Sequence, residues 1–597
     1  MASVIPVDEF ISDEWYPGFT PGPDHAPWAT DRFRTFSKAD EDQLWFLEAH
    51  TPRGLTPLAM VWAEDGLTCC PQQAADRLPL PPARGYAARL AGTHPYAGML
   101  PVTSEWQLGE RGARFGAAFP QFLANYEHTW AAQVEEIERG WSHFRGLDLT
   151  GSSPAEIAGH LRDARAYHRR AYDIHFDVIF PLTVNHFGFF GVCAELGIDT
   201  GEIGLFLQGY DTKIMETDRG LGALTERARA LGLRELFTTT EPERLRAALQ
   251  SAGGGVTWLA EFDAFLETYG WRCEGPCDIA LPSWVEDPTP ALGMVRSFLV
   301  ADTNHDFAAA HDRVVEEREA AIDKARSRLT RGEQETFDAA LATCQSANLP
   351  WWLDDHNYYI DLRVSLPMRW GALAAADALG ADRRDDTLFL FWPELMDVLE
   401  GRRPFREFAG LIGERRDYFE HWAHRRATMP KALGTVPDTA AEIQDPTVTE
   451  ILGINDHFLH GVHHLAGGGN DVGPLEEVRG IAASRGRARG TARVLTNSDE
   501  LHRVLPGEIL VCEATSPNWT PAFGKVAACV CDSGGLLSHA AVVGREYGIP
   551  TIVAVGIGTA VIGDGDEIEV DGHTGTVTIL SRSGAAAVAG SAAGDGG

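Results

Sequence analysis

The run Cys531-Asp532-Ser533-Gly534-Gly535-Leu536-Leu537-Ser538-His539-Ala540-Ala541-Val542-Val543-Gly544-Arg545-Glu546-Tyr547-Gly548-Ile549-Pro550 gathers small residues around one histidine. Just before it, Val526–Val530 is apolar and reads as a strand. Gly534-Gly535 then reads as a turn, and His539 as the opening of a short helix. That order has a chemical consequence. Glycines let backbone N–H groups approach an anion closely, and a helix start adds partial positive charge and unpaired donors. Imidazole is a good nucleophile near neutral pH and a good leaving group afterwards, so His539 there can take a phosphoryl group and pass it on. Gly534, Gly535, Ser538 and Arg545 are the residues placed to support the phosphate. The plain alternative is a satisfied histidine on an apolar helix, with no chemistry.

The stretch sits inside a β-rich section. Short apolar runs at Gly490–Leu495, Glu508–Cys512, Val526–Cys531, Thr551–Val555 and Thr576–Leu580, with a helix at His539–Glu546, predict a small α/β domain over 476–581. Residues 466–475, with three consecutive glycines, read as a flexible linker and hinge, and 582–597 as a disordered tail. Upstream, 1–465 are expected to form one large, mainly α-helical domain. Ser153-Pro154-Ala155-Glu156 and Thr330-Arg331-Gly332-Glu333 are capping boxes. Helical spacing recurs near 222–232, 241–251, 257–269, 305–328, 361–379 and 405–427. Residues 1–150, rich in Trp, Pro and Gly, read as loops with short elements.

Composition sets the limits. The 597 residues carry 51 Lys+Arg against 85 Asp+Glu, a formal charge of −34. Nucleic acid and anionic membrane surfaces are bound through clustered positive charge, so neither is expected as a partner. Nine cysteines without regular spacing make no disulfide framework or zinc pattern, and no structural metal is expected. The acidic start lacks the apolar core of a signal peptide. No apolar run reaches the ~18 residues of a membrane span, so a reducing cytoplasm is the expected compartment.

The motif from Gly534 to Pro550 resembles the phosphohistidine motif in the mobile, swivelling domain of the phosphoenolpyruvate-utilising enzymes. The matching residues are Gly534-Gly535, Ser538-His539-Ala540-Ala541, Arg545-Glu546 and Gly548-Ile549-Pro550. Thr515-Ser516-Pro517-Asn518-Trp519-Thr520-Pro521 and Gly563-Asp564-Gly565-Asp566 extend the likeness over about 473–580. By that resemblance His539 is the phosphorylated residue. Looser matches upstream, Leu207-Gln208-Gly209, Tyr269-Gly270-Trp271-Arg272 and Pro282-Ser283-Trp284-Val285-Glu286-Asp287-Pro288, resemble the substrate domain of rifampin phosphotransferase and phenol-phosphorylating synthases. No Walker A sequence occurs, no segment resembles an ATP-grasp domain, and the 17 residues after Leu580 are too few for a phosphoenolpyruvate-binding barrel of ~200. The resemblance therefore implies a two-component enzyme. ATP and Mg2+ would be bound by a separate ATP-grasp subunit, which charges His539.

The upstream domain would hold the acceptor of the phosphoryl group. Trp351, Trp352, Tyr358 and Tyr359 suit an aromatic hydroxylated molecule, with packing as the competing role. Arg363 and Arg369 could meet the transferring phosphate, unless they are salt-bridged, and Arg272 is a lesser candidate. His50, His186 and His356 could take the hydroxyl proton. His457, His460 and His464 share a helical face and could hold a metal, but a polar helix end at the hinge is the favoured reading. A phenol is the expected acceptor. A hydroxylated natural product such as an antibiotic is second, and a regulatory phosphocarrier is the reading from a different class.

Overall fold

The computed structural model describes residues 3–22, 32–80, 83–272, 278–301, 307–443, 449, 453–466, 475–516, 519–536 and 538–583. The chain divides into two compact units: 1–188 with 275–282 and 342–437, and 189–274 with 283–341 and 438–597.

The first unit contains a six-stranded sheet that sequence periodicity did not reveal. Its strands are β1 (Ser3–Ile5), β2 (Phe33–Thr35), β3 (Leu44–Leu47), β4 (Ala83–Ala91), β5 (His94–Pro101) and β6 (Ala432–Val436). They lie in the order β1-β6-β3-β5-β4-β2, antiparallel except for β2 beside β4. The expectation of loops over 1–150 is thus corrected. Three strands have only three or four residues, and β4 is buried on both faces apart from Arg84, so neither gives a clean alternation. Phe10, Phe36, Trp45, Tyr96 and Trp422 fill the core against this sheet. Helices Glu105–Ala124, Tyr126–Arg145, Leu349–His356, Leu366–Leu379 and Ala409–Arg425 complete the unit, with most of the 42-residue helix Pro154–Glu195. The latter opens on the expected capping box: Ser153 N–H donates to Glu156 Oε2 at 2.8 Å, and Glu156 N–H to Ser153 Oγ at 3.4 Å. It contains a stretch long and apolar enough to cross a bilayer, of which 56% is buried inside the protein.

The second unit joins a helical module to the β-rich C-terminal part. Helices Lys213–Ala230, Pro242–Ser251, Gly255–Tyr269 and Thr289–Ala301 enclose Trp258, Phe262, Trp284 and Phe298. The sheet comprises β7 (Glu477–Arg479), β8 (Ile481–Ser484), β9 (Arg487–Leu495), β10 (Ile509–Cys512), β11 (Ala528–Cys531), β12 (Thr551–Val553), β13 (Glu567–Asp571) and β14 (Thr576–Ser581). Its order is β7-β14-β13-β9-β10-β11-β12-β8, with β9, β10, β11 and β12 parallel and the outer strands antiparallel. The helix expected at His539–Glu546 is found at His539–Tyr547.

This division does not follow the expected cut at 465. Residues 189–274 and 283–341 belong with the C-terminal part, because Tyr547 packs onto the Trp258–Trp284 core. Helical spacing shows which side chains are apolar, not which neighbour covers them. Residues 467–474 of the expected linker and 584–597 of the expected tail lie outside the described residues. Cys69, Cys70, Cys193, Cys344, Cys512, Cys529 and Cys531 are free and buried, while Cys273 and Cys277 lie outside the described residues.

Candidate functional site

β11 delivers the chain to Asp532, which is fully buried and accepts from the backbone N–H of Thr559 at 3.2 Å and from the Thr559 hydroxyl. That carboxylate fixes the end of the strand. The turn then depends on glycine. Gly534 has φ +101°, and a Cβ there would lie 2.7 Å from the Cβ of Ser538. Gly453 (φ +74°) comes so close from the helical side that its Cβ would meet the Gly534 carbonyl oxygen at 2.6 Å. Ser538 is the last extended residue (φ −66°, ψ 158°), and His539 is the first of the helix.

Both ring nitrogens of His539 face threonines. The Thr515 hydroxyl lies 2.9 Å from Nδ1 and the Thr520 hydroxyl 3.4 Å from Nε2, while Phe523 stands edge-on at 6.2 Å. Hydroxyls can donate or accept, so either neutral tautomer is satisfied. Burial, with the Arg272 guanidinium adding to it, pushes the imidazole from its ordinary 6.5 down to about 3. The ring is therefore neutral with a lone pair available. Beside it the Ser538 hydroxyl is buried with no hydrogen-bond partner. A buried polar group without a partner is costly unless a ligand supplies one, and a phosphoryl oxygen on His539 would do so. Thr515 and Thr520 belong to the quoted motif, but their bonds to the imidazole were not foreseen, because the loop that brings them back is not local in sequence.

The structure gives Arg545 a different task from the expected one. Its Nη1 donates to the Ala483 and Leu536 carbonyls at 3.2 and 3.1 Å, and its Nη2 to Leu536 at 3.1 Å. The guanidinium is spent on holding the turn after Gly535. Arg272, the lesser candidate, is the cation whose field His539 feels. It is buried, with its guanidinium 4.6 Å over the Trp284 ring, and its carbonyl accepts from Trp284 N–H at 3.1 Å.

The acceptor candidates gather in the first unit, with several corrections. Trp352 is fully buried and stacked on His356 (centroids 4.4 Å apart, 8°), with Trp130 edge-on at 5.8 Å. It is a packing residue rather than a substrate platform. Trp351, Tyr358 and Tyr359 are half-buried. The two tyrosine rings flank the Arg363 guanidinium at 4.8 and 5.0 Å. Arg363 is buried and ion-paired with Glu138, and Arg369 donates to the Ala280 carbonyl at 2.8 Å, so both arginines have partners within the fold. His186 is buried and kept neutral, its pKa pushed down to about 4 by burial. Burial would also lower His50, but the paired Glu48 carboxylate outweighs it and pushes the imidazole up to about 9. Being already protonated, His50 is no base at neutral pH.

Two groups of metal-ligating side chains converge among the described residues: His175, His356 and Asp361, and Cys512, Cys529 and Cys531. His457, His460 and His464 form neither. They lie along the helix Asp456–Ala466, whose Phe458, Leu459 and Val462 are buried. The sequence reading missed His175 and Asp361 as companions of His356. No local pattern links His175 to the other two.

Comparison with known proteins places both halves of the second unit. Residues 504–575 match the mobile domain of phosphoenolpyruvate-utilising enzymes, and residues 180–348 match the fourth domain of rifampicin phosphotransferase. Chondramide synthase cmdD of Chondromyces crocatus is 32% identical over 514 residues, which is 82% of this chain and 13% of that protein. The uncharacterized phosphotransferase YvkC of Bacillus subtilis is 30% identical over 433 residues, 70% of this chain and 48% of that protein. A rifampicin phosphotransferase of Streptomyces sviceus is 28% identical over 356 residues, 58% of this chain and 37% of that protein. The chain spans less than half the length of each of these relatives.

Proposed function

We propose, from a chain that carries a mobile domain of the phosphoenolpyruvate-utilising enzymes beside a rifampicin-phosphotransferase-type domain, that this protein is a dikinase-type phosphotransferase working through phosphohistidine at His539. A separate ATP-grasp subunit binds Mg2+ and ATP and charges the imidazole with one phosphoryl group while water takes the other, leaving AMP and phosphate. The histidine then gives its phosphoryl group to the hydroxyl of a small aromatic molecule held by the first unit. One observation carries this reading. The neutral imidazole of His539 is oriented by two threonine hydroxyls next to a buried serine hydroxyl that lacks a partner.

The chain's own residues divide the work. Thr515 and Thr520 set the ring plane and let the proton sit on whichever nitrogen is not reacting. A lone pair of the imidazole attacks phosphorus as the bond to the donor oxygen breaks. Ser538 and the N–H groups at the helix start meet the phosphoryl oxygens. In the second transfer the acceptor oxygen bonds to phosphorus as the N–P bond breaks, and the electron pair returns to the ring. Arg272 supplies positive charge near His539.

A phenol is the first choice of acceptor, since its proton is far easier to lose than that of an alkyl alcohol. A hydroxylated natural product is the second, favoured by relatives named for rifampicin and chondramide. The test mixes this chain, an ATP-grasp partner, Mg-ATP and a panel of phenols and hydroxylated natural products, with products followed by phosphorus NMR. Acceptor-dependent AMP and a new phosphate ester are expected, and both vanish with His539→Ala. AMP formation unchanged by that substitution contradicts the mechanism. Stable phosphoprotein that no acceptor discharges favours the phosphocarrier reading.

A further inference from the structure

The first unit holds a second histidine whose surroundings call for a cation. His356 ends the helix Leu349–His356, and its Nδ1 lies 2.7 Å from the Leu353 carbonyl, which can only accept. The ring proton is therefore on Nδ1. Nε2 lies 3.2 Å from Asp361 Oδ2 and is buried with no partner that meets hydrogen-bond geometry. The imidazole and the carboxylate thus meet in a buried place, His356 being 2% and Asp361 5% exposed.

A local deformation creates this meeting. The helix passes into a π-turn over Asn357–Asp361, closed by Leu362 N–H to the Asn357 carbonyl at 3.0 Å. Five-residue spacing in a π-turn brings positions i and i+5 onto one side, here His356 and Asp361. Such turns recur at functional sites. From the helix Pro154–Glu195 comes His175, its ring 4.6 Å from that of His356 and its Nδ1 buried without a partner. The three ligand atoms lie within 4.8 Å of one another.

An extra proton on His356 would satisfy one pair and leave His175 out. A metal ion takes up both imidazole nitrogens that lack partners, with the carboxylate beside them. We propose that His175, His356 and Asp361 bind a divalent first-row transition metal, with its remaining coordination positions open to an oxygen ligand. Two imidazoles and one carboxylate are a set that Zn2+ and Fe2+ favour and that Mg2+ and Ca2+ do not. Tetrahedral ligand atoms stand about 3.4 Å apart for metal–nitrogen bonds near 2.0–2.1 Å, so small side-chain rotations complete the site. The outer contacts also fit. The His356 Nδ1–H to carbonyl bond fixes the ligating tautomer, and the Tyr172 hydroxyl donates to Asp361 Oδ1 at 3.3 Å. Trp352 stacked on His356 walls one side, and His175 is half-buried.

The binding site stands without the phosphotransfer reading. Only its use rests on that reading: the open position would bind the acceptor oxygen and ease loss of its proton to solvent, ahead of the transfer in which the O–P bond forms as the N–P bond breaks.

The test strips the full chain with a chelator and titrates it with Co2+ alone, without nucleotide. One equivalent is expected, with visible d–d bands of a nitrogen/oxygen site. Zn2+ should bleach the bands and excess Mg2+ should not. His356→Ala and Asp361→Asn should weaken binding at least about 100-fold with the fold kept by circular dichroism. The triple variant His457→Ala, His460→Ala and His464→Ala should leave the bands intact. Absence of saturable binding, survival of the bands in His356→Ala, or thiolate charge-transfer absorption from the Cys512 group each overturns the proposal. The wild-type spectrum decides even where a variant fails to fold. Because no ATP is present, failure here is distinct from failure of phosphotransfer.

Discussion

His539 and His356 are both held in place by the fold, yet they meet opposite chemical partners. Around His539 burial and the field of Arg272 keep the ring neutral, and two hydroxyls that can donate or accept leave a lone pair on whichever nitrogen reacts. Around His356 stand a carbonyl, a carboxylate and a second imidazole, which leave a lone pair aimed at negative charge. Neighbours that can either donate or accept suit a histidine that changes its covalent state. A carbonyl and a carboxylate, which can only accept, suit one that keeps a cation.

The sharpest break of this comparison is His539→Ala. It should reduce phosphoryl uptake from ATP to background, measured as acid-labile protein phosphate, while the Co2+ bands of the first unit persist. Gly453→Ala comes next. Its Cβ cannot fit against the Gly534 backbone and its φ is +74°, so the turn must move, and uptake should fall by about 100-fold if the phosphoryl site shifts by an ångström or so. Arg545→Ala removes three hydrogen bonds to carbonyls. Chemical denaturation should show a loss of about 2–4 kcal/mol, with phosphorylation falling only as the turn loosens. Ser538→Ala should slow phosphorylation about 10-fold by losing one hydrogen bond to a charged group. It should leave stability almost unchanged, because that hydroxyl has no partner in the resting protein.

The smallest expected effect is that of pH. A histidine titrating at 6.5 loses about 30-fold of its reactive neutral form by pH 5. With the pKa pushed down to about 3, protonation begins only below that range. The rate of phosphohistidine formation should therefore stay flat between about pH 8 and pH 5 when the donor is saturating. A drop centred near 6.5 would show that the ring is not shielded as described.

What the sequence revealed followed the range of the forces involved. The turn and helix around His539 are built from contiguous residues, so glycines, serine and histidine were readable in order, and the strands beside them kept short apolar runs between turns. The six-stranded sheet of the first unit was hidden, because β6 joins it from far along the chain and β4 is buried on both faces. Arg545 was misassigned for a related reason. A guanidinium near a phosphate motif looks like a phosphate ligand until its carbonyl partners are seen. Trp352 was left open between a binding surface and packing, since an aromatic residue in sequence does not say whether a ligand or His356 will cover it. The meeting of His175 with His356 and Asp361 needed a π-turn and a second helix, and neither is encoded in residue spacing.

The most direct measurement is peptide mapping of the chain after exposure to an ATP-grasp partner and phosphorus-labelled ATP. The account predicts one acid-labile, base-stable phosphate per chain, on the peptide containing His539, discharged on adding acceptor. Label on any other residue, or none when the donor is shown to be active, would contradict it.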